Sequence, residues 1–377
     1  MNTLLDNKDL IFEIKRKVEQ NDDLLYFHVV IPNIQITDET ITIVMTASNR
    51  SNQTYFTLQT IQNSSNKAVQ VILVDDSDED PITKEALEKY PFYIDFICIR
   101  RENKNWVNPV VNYNIGFQYI KGSKVVIQNA EVCHIGDVLS YMRSQITSNN
   151  YYVCDVKSSN SLDENNVIYE DNTNSIDIYN HISGILYQGK ERIVNYHFLS
   201  GMTLETFNKI KTFSYDYSLG IAYDDNDFLL KIISNNINVI NLFHDEYNFG
   251  GIHLWHKTTF IRKGIESNEN IFYKKKDYYL KTGKYIDIIE EKTHKNIDII
   301  EEKIEIIKIN IKSNTNLLEL QNLFMKFTNN KILYFYINKK QITPSINTFR
   351  KCILKGYHYK NSRIKIPKNF KIKFYFI

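Results

Sequence analysis

Three groups of side chains in this 377-residue chain are of types that do chemistry. Asp75-Asp76-Ser77 follows the apolar run Val69–Val74 directly. A carboxylate pair there can accept hydrogen bonds from a base or a ribose. It does not suit a bare pyrophosphate, which wants Gly-rich backbone amides. Gln128-Asn129-Ala130-Glu131 closes a second apolar run, and Glu131 is a sound oxygen ligand for Mg2+ or Mn2+. Asp224, Asp225 and Asp227 open an amphipathic segment whose apolar positions are Phe228, Leu229, Ile232 and Ile233. Complementing a helix dipole accounts for one or two acids there, and poorly for three. The chain has no GxGxxG and no GxxxxGK[ST], which weakens dinucleotide and P-loop readings. Its four cysteines are far apart, with no CxxC, against a zinc site or a disulfide framework.

The elements that must position these groups follow from pattern. Ile41–Thr46 is β-branched and apolar and reads as a strand, ending at the small polar turn Thr46-Ala47-Ser48-Asn49-Arg50. A helix over Tyr55–Gln62 and a strand over Val69–Val74 complete a β-α-β unit with polar residues at both carboxyl ends. Ligands of open α/β sheets bind in the crevice at those ends. Asp80-Pro81 predicts a helix start, with the helix over Pro81–Tyr90. Tyr93–Ile99 is a third strand. Asn108-Pro109 opens a helix to Ile120 that ends at Gly122, and Lys124–Gln128 is a fourth strand. This alternation predicts an α/β, Rossmann-like, mainly parallel sheet flanked by helices.

Further along, Tyr151–Asp155 and Ile237–Phe243 read as strands and Leu204–Ile210 as a helix. The polar run 158–180 reads as a long loop or a partly ordered insertion, a natural place for acceptor recognition. His253, Trp255 and His256 fall in a stretch opened by Gly250-Gly251, which reads as a flexible loop able to close over a bound nucleotide. Residues 1–40 read as a short helix, about Asp9–Glu19, and an edge strand within Leu24–Ile36.

The ordered set from Ile41 to His256 resembles a GT-A glycosyltransferase of the inverting family 2 kind. The resemblance rests on the strand, the 46–50 turn, the helix and Val74-Asp75-Asp76-Ser77. It implies that Thr46, Ala47, Ser48, Arg50, Asp75 and Asp76 hold the nucleoside of a nucleotide-sugar. Asn114 and Gly116 match the layout of the family's helix before the metal turn, although the usual Arg is missing. Gln128-Asn129-Ala130-Glu131 stands where the family has Asp-x-Asp, and Cys133-His134-Ile135-Gly136-Asp137 fits the His and Gly-Asp that come after it in many relatives. By this likeness Asn129 contacts the nucleotide and Glu131 holds a divalent cation, Mn2+ or Mg2+, with His244 as a further metal ligand. Asn129 is a neutral replacement for an acid. Asp225 takes the place of the catalytic base and Asp224 that of an acceptor-positioning residue. Gly201 fits backbone passing close to the sugar. The implied activity is hexosyl transfer from a nucleotide-sugar, a UDP-sugar first, to a hydroxyl of a glycan or other acceptor, with inversion. A sugar nucleotidyltransferase would need a Gly-rich basic loop after the first strand, which is lacking. A non-catalytic sugar- or nucleotide-binding or assembly protein on the same fold is the stronger alternative.

Net charge is +2, unevenly spread: 13 of the 46 basic residues and none of the 44 acidic ones lie after Glu319. No apolar run reaches the roughly 20 residues of a membrane span. With no apolar signal core and no paired cysteines, the expected location is cytoplasmic, with no nucleic-acid partner. Ile286–Lys292 recurs eleven residues on, and Ile286, Ile289, Thr293, Ile297, Ile300, Ile304, Ile307 and Ile311 step by three or four. That seam reads as one long helix over 285–311 that favours a homodimer. Leu317–Phe327 reads as a second helix, Lys331–Lys339 as a strand, and Arg350–Ile377 as alternating basic and apolar chain. The expected parts are an extension over 1–40, a transferase domain over 41–265 and a helical, basic extension over 266–377.

Overall fold

The computed structural model describes residues 8–20, 24–171, 176–257 and 264–288, with the strand segments 307–310, 332–337, 340–342 and 371–376. Contacts divide the chain into two compact units: Met1–Tyr279 with Lys284–Thr293, and Leu280–Gly283 with His294–Ile377.

The first unit begins α1 (Lys8–Glu19), β1 (Tyr26–Pro32), β2 (Ile41–Ala47), α2 (Ser51–Gln62), β3 (Val69–Asp75), α3 (Lys84–Leu87) and β4 (Tyr93–Ile99). Next come α4 (Val110–Phe117), β5 (Lys124–Asn129), β6 (Val132–Ile135), α5 (Val138–Gln145), β7 (Asn150–Cys154) and β8 (Val156–Ser158). Then follow α6 (Leu162–Asp171), α7 (Ile176–His181), β9 (Leu186–Gln188), β10 (Leu199–Thr203) and α8 (Leu204–Ile210). The unit closes with α9 (Asp224–Ser234), β11 (Asn238–Leu242), α10 (His244–Tyr247), β12 (Gly250–His253) and α11 (Ile265–Thr282).

Eight strands form one sheet in the order β1-β4-β3-β2-β5-β10-β7-β11. Strands β4, β3, β2 and β5 are parallel, as the β-α alternation predicts. Edge strand β1 and inner strand β10 run antiparallel to their neighbours, so the sheet is mixed. Because β10 reverses twice, β7 and its parallel partner β11 run with β5. The carboxyl ends of β2, β3, β5, β7 and β11 therefore share one edge.

All seven residues of β3 are buried, as a strand covered on both faces requires. Alternate side chains feed two cores. Val44, Ile72, Val74, Val125 and Ile127 pack with α1, α4, α9 and α11. Ile43, Met45, Val71, Leu73 and Val126 pack with α2 and α5. A smaller sheet, β6-β12-β8-β9, branches from the carboxyl edge, because β6 and β8 follow β5 and β7 almost at once.

Several expectations change. The helix expected over Pro81–Tyr90 is only α3. Asp80 accepts from Ser51 N at 2.8 Å and Ser51 Oγ at 2.6 Å, and Ile82 N donates to Asp75 at 2.9 Å. Pro81 thus lies in a turn, and Thr83 is the cap. The expected loop over 158–180 contains α6 and α7; Ser161 Oγ accepts from Glu164 N at 3.1 Å in the first turn of α6. Gly250–His253 is strand β12 rather than a flexible loop.

The seam over 285–311 is not one helix: Tyr285–Ile288 is irregular and Ile307–Asn310 is a strand. Its remaining residues, and the helix expected at Leu317–Phe327, lie outside the described residues. The described part of the second unit is an antiparallel sheet of β13 (Ile307–Asn310), β14 (Ile332–Ile337), β15 (Lys340–Ile342) and β16 (Lys371–Phe376), in the order β13-β16-β14-β15. Helix in the C-terminal region is confined, among the described residues, to α11. Strand β14 falls within the strand expected over Lys331–Lys339, and β16 within the alternating stretch Arg350–Ile377. No described helix is long and apolar enough to cross a membrane.

Candidate active site

Strand register sets the first part of the site. Ala47 lies beside Asp75, and Thr46 beside Asn129. Asn49 adopts a φ of 55° and accepts the backbone N–H groups of Asp78, Glu79 and Asp80 at 3.0, 2.9 and 3.1 Å, tying the turn after β2 to the turn after β3. The two aspartates then part company. Asp75 accepts from Ser77 Oγ at 2.5 Å and Ile82 N at 2.9 Å, so both its oxygens build the turn. Burial pushes its carboxyl up against those bonds. Asp76 accepts from Asn112 Nδ2 at 2.9 Å and is ion-paired with Lys104, while its Oδ1 is buried with no hydrogen-bond partner. Burial opposes its ionisation, but Lys104, Asn112 and Ser48 outweigh burial and hold the carboxyl below its ordinary value.

Thr46 lies between Val74 and Asn129 in the sheet, and buried Tyr113 donates to Gln128 O at 2.8 Å. Asn114 is spent inside the core: its Nδ2 donates to Phe213 O at 3.0 Å and its Oδ1 accepts from Phe213 N at 2.8 Å. The structure therefore brings Thr46, Ser48 and Asp76 together and places the Asn114 side chain elsewhere.

Glu131 sits in the two-residue link between β5 and β6 and is 2% exposed. Arg50, at the start of α2, forms an ion pair with its Oε1. Strand β12 pairs with β6 so that His253 lies beside Val132, and Leu254 N donates to Glu131 O at 2.9 Å. That pairing delivers His253 Nε2 to 3.3 Å and His256 Nε2 to 3.7 Å from Glu131 Oε1. Burial would raise the Glu131 carboxyl, but Arg50 and the two histidines hold it well below the usual carboxylate range. Burial, then Arg50, lowers His256, which favours neutral imidazole.

One ligand atom from each of Glu131, His253 and His256 lies within 4.8 Å of the others. Glu131 Oε2 is buried and lacks a partner. Two imidazoles and a carboxylate with an orphaned oxygen suit a divalent transition cation better than Mg2+, which prefers oxygen. These residues fit the expected cation. His244 is not in the cluster: its Nδ1 bonds Asp155 at 2.8 Å, and its ring lies 4.4 Å from that of Tyr179.

The acidic group opens α9 as expected. Asn108 Nδ2 donates to Asp224 Oδ1 at 3.2 Å. Asp225 Oδ1 lies 3.0 Å from His197 Nδ1, close but outside hydrogen-bond alignment. Burial, then Asp225, pushes the Asp224 carboxyl up to about 6. Burial, then the charge of Glu131, and further those of Asp225 and Asp224, raise the phenol of buried Tyr113. Asp227 points away, into the core, where Tyr285 donates to it at 2.6 Å and Tyr217 at 3.1 Å. Gly201 lies in β10 against Met142. A cavity of about 580 Å³ lined by Ile61, Asn66, Val69 and Phe92 opens at the amino ends of β3 and β4, the edge opposite these carboxylates.

Sequence reading passed over Lys104, Asn108 and His197. Asn108 was visible only as a helix start, and each of the three reaches an aspartate on another element. His253 and His256 were visible as histidines, but their partner strand was not.

The first unit is an α/β fold: a mixed sheet flanked by helices, with these side chains along one carboxyl edge. Residues 42–211 match the family described as Glycosyl transferase family 2. Among solved structures, S. aureus TarS is similar at 12% identity and a TM-score of 0.41, over 57% of this chain and 37% of that chain. S. aureus TarS 1-349 in complex with UDP-GlcNAc is similar at 13% identity and a TM-score of 0.41, over 58% and 59% of the two chains. Mannosyltransferase PcManGT from Pyrobaculum calidifontis, in complex with GDP-Man and Mn2+, is similar at 13% identity and a TM-score of 0.37, over 69% and 67%. This chain thus spans about a third of full TarS. No curated protein matches the chain.

Proposed function

We propose that the chain is an inverting glycosyltransferase that moves a hexose from a nucleotide-sugar, first a UDP-sugar, to an acceptor hydroxyl with a divalent cation. The observation that carries this reading is the meeting of Arg50 and Glu131, inside the family match, with His253 and His256, beyond its end, at the end of β5. The nucleoside lies over Thr46, Ala47, Ser48 and Asp76, whose free Oδ1 accepts from base or ribose. Asn129, beside Thr46, faces the diphosphate. Glu131, His253 and His256 would hold the cation, which when bound offsets charge on the departing diphosphate. Arg50 supplies a fixed positive charge beside it.

Asp225 takes the proton of the acceptor hydroxyl as its oxygen bonds to the anomeric carbon. The bond from that carbon to the diphosphate oxygen breaks on the opposite face, and the nucleoside diphosphate leaves. One displacement inverts the configuration. Asp224 and His197 orient the acceptor and the base. The unpaired cysteines favour the cytoplasm as the place of reaction.

Asp225→Asn tests the reading. UDP release from a UDP-sugar should fall by about a hundredfold or more, with UDP binding kept. Wild-type turnover in that variant would remove Asp225 as the base. The binding-protein reading has one observation on its side: Arg50 already neutralises Glu131. Under it, no UDP-sugar is turned over and Asp225→Asn changes nothing.

A further inference from the structure

The peptide entering α9 is strained. Ala222 and Tyr223 have φ values of +66° and +67°, a left-handed pair that non-glycine residues rarely adopt, directly before Asp224 and Asp225. Such strain persists only where surrounding structure over-determines it. The surrounding structure is α11, beyond the end of the family match. Asn268, 2% exposed, donates through Nδ2 to Ala222 O at 3.0 Å. Tyr223 donates to Glu269 Oε1 at 2.7 Å, and its ring lies 5.7 Å from that of Phe272. A Cβ on Gly220 would come within 2.6 Å of Gly264 O and 2.7 Å of Asn268 Oδ1, so the helix start seats directly on the turn.

One helical face carries this set, since Asn268, Phe272 and Lys275 are spaced by four and three. Lys275 anchors the face lower down. Its ammonium is buried, 2.8 Å from Asp216, 3.1 Å from Asp287 and 3.5 Å from Asp227, the last on the first turn of α9.

We infer that α11 is a positioning element for the reaction: Asn268 holds the strained Ala222–Tyr223 turn and thereby aims the carboxylates of Asp224 and Asp225. The inference rests on the transferase reading above and extends the working unit past the matched region to α11. Ionisable groups facing the acid pair are His197, Tyr113, Tyr151, Tyr196 and Tyr217. Asn268 reaches the pair through the backbone, at Ala222 O.

Asn268→Ala in the full chain, with UDP-sugar and Mn2+, should lower kcat about tenfold to a hundredfold, because small misplacements cost that much. KM for the donor should stay, as the nucleoside site is elsewhere. The acid limb of kcat/KM should move to lower pH as the pair gains solvent. Adding Ala222→Gly should recover part of kcat, since glycine adopts a positive φ without strain. If Asn268→Ala folds poorly, Tyr223→Phe, which removes only the bond to Glu269, should show the same shifts in smaller measure. The second measurement needs no turnover: any stability gain from Asp224→Asn at alkaline pH should vanish in the Asn268→Ala background.

Wild-type kcat, pH profile and Asp224 coupling in these variants would overturn the inference. So would a loss of kcat with an unmoved acid limb and no recovery by Ala222→Gly. Asp225→Asn, run alongside, separates the two levels. If it is inactive while Asn268→Ala behaves as wild type, only the positioning role falls. If it keeps full turnover, the base assignment falls and the inference with it.

Discussion

Asp224 and Asp225 sit 1 residue apart in sequence with opposed demands, since two adjoining carboxylates disfavour joint ionisation. The Asp224 carboxyl lies near 6 against an ordinary 3.8, through burial and then Asp225. A raised carboxyl favours the folded state in its protonated form. That contribution is present in full below the ordinary value and is lost as pH rises through about 6. Asp224→Asn should therefore stabilise the ligand-free protein at pH 8 by on the order of 1 kcal/mol, discounted for partial exposure, and by little near pH 4. Melting curves at both values check this, and equal effects would contradict it. The same pair should give kcat/KM an acid limb with an apparent pKa near 6. Glu131→Gln should remove the cation-dependent part of nucleotide binding and leave any cation-independent part, read by calorimetry with and without Mn2+.

Residue chemistry was legible where it is local. The carboxylate pair after β3, Glu131 after β5 and the acids opening α9 are each announced by an apolar run or helix beside them. What each oxygen does was not legible. Asp75 and Asp76 look equivalent in sequence, yet the first is consumed by Ser77 and Ile82 and the second keeps a bare Oδ1. His253 joins Glu131 only because β12 pairs antiparallel with β6, more than a hundred residues earlier, and no local pattern encodes that register.

Among elements, the β-α alternation from Ile41 to Asn129 was readable because parallel strands covered on both faces are continuous apolar runs. Strand β10 was not, since Leu199-Ser-Gly-Met-Thr203 carries few β-branched residues and is held by its neighbours on both sides. Side-chain capping misled in two places: Asp80 serves α2 rather than Pro81, and Ser161 starts a helix in a run that reads as loop. Helix α4 lies on β2 and β3 through Gly116, where an added Cβ would sit 2.9 Å from Val44 Cγ1 and 3.2 Å from Val74 Cγ2. Gly116→Ala should destabilise by about 1–3 kcal/mol, as overpacking does in a filled core. A denaturation midpoint unchanged from wild type would show that α4 can shift.

At the scale of the molecule, the first unit contains every side chain assigned a role in the reaction, together with the N-terminal helix α1 and edge strand β1. It also takes in most of α11, whose polar sequence gave no sign that Asn268 and Lys275 are buried. The isoleucine repeat invited a long helix, but a three-to-four step also occurs in chain that turns or pairs, and tertiary contacts decide. Tyr285 and Asp287 are drawn to buried Lys275 instead of continuing a helix.

The most direct test of the transferase reading is a thermal melt of the full chain with UDP, GDP, CDP and TDP, each with and without Mn2+. A ligand that binds only the folded state at a hundredfold excess over its Kd adds about 2.7 kcal/mol of stability. The account predicts a clear upward shift with UDP that grows with Mn2+. No shift with any nucleoside diphosphate, with or without the cation, would contradict it.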